Sequence, residues 1–168
     1  FLATKISFIN EVAQLCEKTG ADVSAVARGM GLDGRIGKKF LHAGPGYGGS
    51  CFPKDTQAMI RMAQDAGTSS RIVEAVVAAN AAQKSLMVVK IQQALVAAGD
   101  ATGEYAAVQA ENLTEVVLLR LPQVVIIDVE QVQDIVERVL MEAGYYPTAR
   151  AYIVYRERHG RLRRDRKT

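Results

Sequence analysis

Apolar residues recur at helical spacings of three and four along most of the chain. In the first segment, from Phe1 to Lys18, they form one stripe, and Gly20 follows that stripe as a helix stop. Asp22 is placed to cap a second helix through Gly29, and Asp33 to cap a short helical turn leading to Phe40. The stripe predicts that the first helix buries one face made of Leu2, Ile6, Ile9, Val12, Ala13 and Cys16.

The longest predicted helix begins at Ser69 or Ser70 and continues to Ala98, because no glycine or proline interrupts it before Gly99. Shorter helices are predicted over 51–65, 107–121, 129–143 and 147–163, with Asp128, Gly144 and Pro147 as boundary signals. Val124 to Ile127 is the one candidate strand. The predicted fold class is therefore all-α, with about eight helices in two pieces joined through one long shared helix.

Composition narrows the class of protein without naming a function. About half of the 168 residues are apolar, which indicates a folded chain, and the net charge is only +3. Two cysteines do not make a disulfide framework, and no secretory signal or membrane-length apolar run is visible. We expect no membrane partner and a reducing cytoplasmic origin or recombinant expression. The start at Phe1-Leu2-Ala3-Thr4 suggests the interior of a longer protein.

Basic residues are concentrated between Arg156 and Lys167, where they outnumber the acidic Glu157 and Asp165. Such a run is compatible with nucleic-acid binding, but no aromatic residue is interleaved with it after Tyr155. Cations also suit the carboxyl end of a helix, where the helix dipole is negative. We therefore expect a solvated helix terminus and no nucleic-acid partner.

The stretch GPGYGGSCFPKD, residues 44–55, contains candidate reactive residues of the first half of the chain. Its glycines allow the backbone to approach a ligand closely, because no Cβ stands in the way. Cys51 is predicted at the start of a helix, where free amides, the helix dipole and Lys54 favour the thiolate. A thiolate one turn from Asp55 suits covalent capture of an aldehyde and later hydrolysis of a thioester. An inert buried cysteine is the alternative explanation.

This stretch resembles the active-site loop of the UDP-glucose dehydrogenase family, whose members oxidise a sugar nucleotide twice with NAD to give a uronic acid. The resemblance covers about residues 1–90 and includes FLATKISFINEVAQLCEKTGADVSAVARGMGLDGRIG and the later RIVEAVVAANAAQK. It implies that this part is the family's central helical domain, which lies between two nucleotide-binding domains and carries the dimer contact.

The same resemblance assigns roles to individual residues. It implies Cys51 as the nucleophile, Lys5 as the oxyanion stabiliser and Asp55 as the residue that assists hydrolysis. Asn10 would contact the sugar or an ordered water. Without the family, Lys5 is equally explained as a solvated helix residue and Asn10 as its polar neighbour. The loop from Phe40 to Gly49 would line the substrate pocket, with contacts expected from Phe40, Leu41, Tyr47, Gly48 and Gly49.

The second half, about residues 91–168, resembles a different family. KIQQALVAAGDATGEY and VEQVQDIVERVLMEAGYYPTARAYIVYRERHGRLRRDRKT are similar to the ATP-cone, the nucleotide-binding regulatory module of ribonucleotide reductases. In that module a β-hairpin closes over ATP or dATP, and no such hairpin precedes Lys90, which matches a family lysine expected near phosphate. We therefore expect no ATP binding.

Together these observations predict a chimeric protein that lacks complete catalytic machinery. No G-x-G-x-x-G fingerprint follows a strand, so we expect no NAD site, no resident cofactor or metal, and no enzyme activity. The two helical patterns join in phase inside the long helix, and extra apolar runs at 86–89 and 116–127 resemble an added core or an interface. This favours an engineered, de novo helical scaffold with a vestigial site. The alternative is a fragment of an NAD-dependent UDP-sugar dehydrogenase that retains part of its substrate site.

The long helix also predicts self-association. In the dehydrogenase family the corresponding helix packs against its copy in the partner, and here it is longer. A two-fold interface is self-complementary and can persist when flanking domains are absent. We expect a homodimer. A monomer in which the second half covers the apolar face is the alternative.

Overall fold

The computed structural model describes residues 1–122, 127 and 129–165, with side chains as far as Glu157. The described residues form seven helices and no strand element, which confirms the all-α class and comes close to the predicted number of helices. The helices are α1 (Leu2–Thr19), α2 (Val23–Gly31), α3 (Cys51–Asp65), α4 (Arg71–Thr102), α5 (Ala107–Arg120), α6 (Val129–Glu142) and α7 (Tyr146–Asp165).

Local capping chemistry sets the first helix boundaries. Gly20 adopts a left-handed conformation (φ 73°) at the end of α1, which a residue without Cβ does at little cost. The side chain of Asp22 accepts a hydrogen bond from the backbone amide of Ser24 at 2.8 Å and so caps α2. These boundaries therefore follow from short-range sequence signals.

The predicted helical turn after Asp33 forms but ends before Phe40. Asp33 caps it, since its carboxylate accepts the amide of Arg35 at 2.9 Å. The amides of Ile36 and Gly37 donate to the Asp33 carbonyl at 3.0 and 2.9 Å. Gly37 (φ 69°) and Phe40 (φ 64°) both adopt left-handed backbone conformations, which interrupt a right-handed helix. Beyond this turn the segment is a loop, and it leads into residues 44–49 (GPGYGG), which we call the glycine-rich stretch.

The prediction that Gly99 ends the long helix is also wrong. α4 continues to Thr102, and Gly103 (φ 69°) follows its end. A Cβ at Gly99 would lie 2.5 Å from Cε2 of Tyr105, so this position needs glycine for close packing against a ring. The glycine marks a tertiary contact instead of a helix boundary.

The chain divides into two compact units, and α4 contributes residues to both. Unit 1 comprises Phe1–Met87 and Pro122–Val129, and unit 2 comprises Val88–Leu121 and Glu130–Thr168. The boundary predicted at residue 90 stays a prediction. Unit 1 has a cluster of buried residues from α1, α4 and the glycine-rich stretch, namely Ala3, Ile6, Tyr47 and Val76, with Phe40 and Phe52 packed against it.

Unit 2 is built on apolar residues spaced along its helices. Its buried side chains come from the last part of α4 and from α5 and α6, and Ala149 adds one from α7. Tyr105 donates a hydrogen bond to the carbonyl of Leu95 at 2.8 Å, and its ring lies 4.6 Å from that of Tyr145. The buried apolar residues of these helices are Ile91, Leu95, Ala110, Leu113, Val117, Val132, Val136, Val139 and Leu140.

Only α4, among the described helices, is long and apolar enough to cross a membrane, although no membrane-length apolar run was expected. Length and composition alone give this result, and the core helix of a soluble protein passes the same test. Buried Asn80 and Gln83 on this helix bond to the glycine-rich stretch within unit 1. The absence of a membrane partner stays a prediction.

Several predicted features lie outside the described residues. They include the candidate strand from Val124 onward, of which Ile127 alone is described, and the proposed cap Asp128. In the basic run, Arg156 is described and turns towards α6, where its guanidinium contacts Glu130, Asp134 and Glu137 at 2.7–3.1 Å. The side chains beyond Glu157 lie outside the described part, so the absence of a nucleic-acid partner also stays a prediction.

Candidate active site

The glycine-rich stretch is held to α4 by a buried asparagine. The Tyr47 amide donates to Oδ1 of Asn80 at 2.7 Å, and Nδ2 of Asn80 donates back to the Tyr47 carbonyl at 3.0 Å. Tyr47 and Asn80 are both buried, so water does not compete for these groups. One side chain thus satisfies both backbone groups of a loop residue that has no helical partner.

Gly44 is held in the same way by two further amide side chains. Nε2 of Gln83 donates to the Gly44 carbonyl at 2.7 Å, and the Gly44 amide donates to Oδ1 of Asn10 at 2.8 Å. Gln14 on α1 donates to Oε1 of Gln83 at 2.8 Å, which fixes the orientation of the Gln83 amide. We call Asn10, Asn80 and Gln83 the amide clamp.

Glycine is required at position 46, where the loop contacts Asn80, and packing is close at Gly44. Gly46 has a φ of 110°, and a Cβ there would lie 2.7 Å from Oδ1 of Asn80. A Cβ at Gly44 would lie 3.2 Å from the Ile127 carbonyl oxygen, which also belongs to unit 1. The backbone of this stretch therefore packs directly against Asn80 and the Ile127 carbonyl, with little room for a side chain.

Aromatic rings connect the loop to the start of α3. The Phe52 ring lies 5.9 Å from that of Tyr47, edge-on, and 6.2 Å from that of Phe40. Such tilted arrangements suit the charge distribution of aromatic rings. Of the predicted substrate-lining residues, Tyr47 and Leu41 are therefore core residues, whereas Phe40, Gly48 and Gly49 are partly exposed.

Cys51 is the first residue of α3 and is exposed, while Cys16 is buried in α1. The Cys51 Sγ lies 3.7 Å from Oγ of Ser50, the residue that precedes the helix. Asp55 follows one turn later, exposed, with its carboxylate 3.8 Å from the ammonium of Lys54. The inert buried cysteine that the sequence left open is therefore excluded at position 51.

Lys5 and Asn10 both project from α1 towards the loop that precedes Cys51. The Lys5 ammonium donates to the carbonyls of Ile36, Gly37 and Lys39 at 2.8, 3.3 and 2.6 Å, which matches its three N–H donors. Asn10 is 2 % exposed, and its buried Nδ2 has no hydrogen-bond partner within the described part of the chain. A buried donor without a partner is uncommon in folded proteins.

Asn80, Gln83 and Gln14 were not among the predicted site residues. A signal was present, since Asn80 follows Val76 by four residues on an apolar stripe and Gln83 continues the same face. Polar residues inside such a stripe indicate a buried hydrogen-bonding role. The loop groups that they bond could not be identified from spacing.

Comparison with protein families divides the chain into two parts. Residues 74–161, just over half of the chain, match the model of the ATP cone domain. Through these residues the chain belongs to the ATP cone domain family. Residues 1–82 match the model of the UDP-glucose/GDP-mannose dehydrogenase family, central domain. The two-part architecture indicated by the sequence motifs is confirmed.

Individual relatives resemble the dehydrogenase part. The chain is 62 % identical over 108 residues to UDP-glucose 6-dehydrogenase of Rhizobium meliloti, covering 64 % of this chain and 24 % of the relative. It is 58 % identical over 91 residues to UDP-glucose 6-dehydrogenase TuaD of Bacillus subtilis, covering 54 % and 20 %. A UDP-glucose dehydrogenase structure from Pyrobaculum islandicum matches with 40 % identity and a TM-score of 0.47, covering 61 % of this chain and 22 % of that one. The chain spans about a quarter or less of these proteins.

These comparisons overturn two predictions. The prediction of an engineered scaffold is wrong, because 62 % and 58 % identity to bacterial UDP-glucose 6-dehydrogenases indicates a natural sequence. The prediction that the chain is not an enzyme is contradicted by the same similarity, which points to an enzyme family. The error came from treating an in-phase junction within one helix as a sign of design, although helical phase does not record how two segments were joined.

Proposed function

We propose that the first part of the chain is the catalytic-cysteine segment of an NAD-dependent UDP-sugar dehydrogenase. The observation that supports this most is the position of Cys51. Its thiol is exposed at the start of α3, directly after a loop whose backbone is fixed by buried amides. A fixed loop beside an accessible thiol provides a binding surface next to a nucleophile.

In this proposal the Cys51 thiol captures an aldehyde derived from the sugar. Its sulfur adds to the carbonyl carbon. One C–S bond forms, the C=O π bond and the S–H bond break, and the thiol proton ends on the former carbonyl oxygen as a hydroxyl. The first amides of α3 and the partial positive charge of its N-terminus lie beside this centre. They favour the negative charge that develops during addition.

The neighbouring residues carry the other proposed roles. The unpartnered Nδ2 of Asn10 supplies a donor for the sugar or for an ordered water. Lys5 can stabilise an oxyanion only by giving up one of its three carbonyl partners, since all three N–H donors are occupied. Asp55 is solvent-exposed and can orient the water that would hydrolyse a thioester, once a hydride acceptor had oxidised the Cys51 adduct to that thioester. Phe40, Gly48 and Gly49 offer the exposed part of the proposed substrate surface.

NAD is the hydride acceptor of the proposed activity, but the described residues do not fit it. A dinucleotide is normally held where a parallel strand turns into a helix, and the elements of the described residues are all helices. Binding of NAD is therefore assigned to no residue here. We also propose a cytoplasmic location, which suits free cysteines.

Alkylation of Cys51 tests the proposed substrate. UDP-glucose should bind the 168-residue chain and slow alkylation of Cys51 by iodoacetamide, measured by mass spectrometry, whereas free glucose should not. Cys16 is the internal control, because it is buried and should react far more slowly with or without ligand. An unchanged Cys51 rate at saturating UDP-glucose, with no heat of binding in calorimetry, would reject the proposal.

A calorimetric titration with ATP tests the second part of the chain. Membership of the ATP cone domain family supports nucleotide sensing as a second candidate function for unit 2. ATP binding that leaves Cys51 alkylation unchanged would support this function. No heat with ATP would agree with the expectation that nucleotide binding is absent.

We further propose a homodimer through α4, the finer form of the oligomerisation with which a dehydrogenase central domain is consistent. One face of this helix is exposed at heptad positions, which is the pattern of two helices packed along each other. Ile72, in the first turn of α4, is 72 % exposed. The exposed positions of this face within unit 1, which we call the α4 stripe, are Ile72, Ala75 and Ala82.

Light scattering tests the dimer. The mass should be twice the chain mass of 18.2 kDa, and Ala82→Glu on the α4 stripe should shift it towards the monomer. Ala81→Glu is the matched control, since it is exposed on the same helix but lies about 100° from Ala82. Val77→Glu is less informative because Val77 is half-buried within unit 1. A wild-type mass of one chain at micromolar concentration would reject the interface.

A further inference from the structure

The strongest unassigned feature of unit 1 is the pair of polar residues that α4 directs at the glycine-rich stretch. Asn80 and Gln83 are each 6 % exposed, although amide side chains are usually found at the surface. Burying an amide is costly unless it is hydrogen-bonded, so these residues favour the folded state only while the loop keeps its conformation. Their bonds go to backbone groups of the loop and to Gln14.

The geometry of these contacts is specific to one loop conformation. Asn80 engages the amide and the carbonyl of Tyr47 at once, and Gln83 engages the carbonyl of Gly44. Between these two anchors, Gly46 has a φ of 110° and approaches Asn80 too closely to carry a Cβ. Backbone groups anchored on both sides of a left-handed glycine cannot shift without breaking at least one buried bond.

The anchors stand immediately before the exposed part of the loop. Gly48 and Gly49 follow Tyr47 and lead into Ser50 and Cys51, which starts α3. The bonds from Asn80 therefore fix the point from which the backbone reaches the thiol. Because Phe52 packs edge-on against the Tyr47 ring, the first turn of α3 is tied to the same anchored residue.

We propose that Asn80 and Gln83 are positioning residues, which act through the backbone of Gly44 and Tyr47 to hold the loop in its substrate-binding conformation. The identity of the substrate in this inference rests on the proposed function. The claim that the loop is held rests only on the observed hydrogen bonds. Neither residue touches the reacting atoms. Their contribution is to remove the ordering cost that a flexible glycine loop would otherwise impose on binding.

Two near-isosteric substitutions remove the donors with little change in volume. Asn80→Asp loses the donor to the Tyr47 carbonyl, and Gln83→Glu loses the donor to the Gly44 carbonyl and places a carboxylate beside it. Gln93→Glu is the matched control, because it makes the same change at an exposed position of α4. Ile9→Val serves as a second control, since it weakens the buried face of α1 without altering a clamp bond.

Hydrogen exchange of the full chain measures the loop directly. Peptides covering residues 41–50 should exchange roughly fivefold faster or more in Asn80→Asp and Gln83→Glu, which corresponds to the loss of one buried hydrogen bond. Gln93→Glu should exchange like the wild type. Ile9→Val should lower the melting temperature without this selective effect. Loop exchange that is unchanged in both clamp variants, or that rises equally in Ile9→Val, overturns the proposal.

Calorimetric titration with UDP-glucose provides the second measurement. The two clamp variants should raise the Kd roughly fivefold or more, while both controls should keep the wild-type Kd. Wild-type affinity in both clamp variants overturns the positioning role, even when the proposed function holds. If the wild type itself does not bind UDP-glucose, the proposed function fails, and loop exchange alone then decides whether Asn80 and Gln83 fix the loop.

Discussion

The two units of this chain stabilise their interiors with different chemistry. Unit 1 buries Ser7, Asn10, Asn80 and Gln83, and the last three bond to backbone groups of one loop. Unit 2 buries mainly aliphatic residues. Its buried Thr114 bonds within its own helix to the Ala110 carbonyl, and the hydroxyl of its buried Thr148 lies 2.5 Å from that of Thr102. Polar burial in unit 1 is therefore directed at irregular backbone, whereas unit 2 has regular helices to satisfy its own backbone groups.

This difference follows from the backbone that each unit buries. A helix pairs its backbone groups internally, so helices can pack through apolar faces alone. A loop that enters the interior leaves amides and carbonyls without partners, and side chains must supply them. In unit 1 the end of this loop leads to the exposed thiol of Cys51.

The largest expected effect is on the aliphatic interior of unit 2. Leu140 is fully buried, so Leu140→Ala should lower the free energy of unfolding of this unit by about 2–5 kcal/mol through lost burial and a residual cavity. Leu119→Ala is the control, because Leu119 is 86 % exposed. Urea unfolding measures the free energy of unfolding of both variants, and hydrogen exchange shows which unit loses protection. An equally large loss of protection around the glycine-rich stretch would break the contrast between the units.

In unit 1 the most sensitive position should be a glycine instead of an aliphatic residue. Gly46→Ala should destabilise this unit by about 1–3 kcal/mol, since it combines a strained positive φ with a contact against Asn80. Gly29→Ala, in α2 with open space around it, should instead be neutral or stabilising by up to about 1 kcal/mol. Equal melting temperatures for the two variants would show that the loop is not held as described.

The charged cluster on unit 2 should give a smaller effect. The Arg156 side chain is 17 % exposed and contacts three carboxylates on α6, so Arg156→Met should cost about 1–2 kcal/mol after allowance for solvent screening. Arg35→Met is the comparison, because Arg35 is 91 % exposed and its loss should not change stability measurably. Salt should reduce the difference between wild type and Arg156→Met, and a salt-independent difference would argue for packing instead of charge.

The smallest expected effect concerns alkaline pH. Burial, and next the charge of Glu104, raises the pKa of Tyr105 to about 12 from an ordinary value of 10. The unfolded state therefore loses its proton first, and the stability of unit 2 should fall as the pH rises from about 10 to about 12. Tyr105→Phe should reduce this fall, as seen in thermal unfolding at several pH values. Tyr146→Phe, at a position 66 % exposed, should leave it unchanged.

Local patterns were sufficient for most of the fold and for the location of the thiol. Gly20 and Asp22 set the first helix boundaries by capping chemistry that involves only neighbouring residues. The GPGYGGSCFPKD stretch also placed Cys51 at a helix start, as the structure shows. The same local rules failed at Gly99, where glycine serves a contact with the Tyr105 ring.

The spacing of residues along the sequence could not identify the hydrogen-bond partners of the polar side chains. Lys5 and Asn10 are five positions apart on α1, and only the folded loop shows that one holds residues 36–39 while the other holds Gly44. Asn80 and Gln83 were visible as polar positions on an apolar stripe, but their acceptors lie 33 and 39 residues away. Hydrogen bonds at such separations depend on how the loop returns to the helix.

The sequence by itself determined the all-helical class, the helix starts and stops that rest on caps, the position of Cys51 at a helix start and the two-part family resemblance. These features depend on residues a few positions apart, or on motifs long enough to be specific. Only the tertiary structure decided that α4 passes through Gly99, that Phe40 leaves the helical region, and that three amide side chains secure the glycine-rich loop. The physical reason is that each of these depends on groups brought together from distant parts of the chain, where close packing and unpaired backbone groups override local preference.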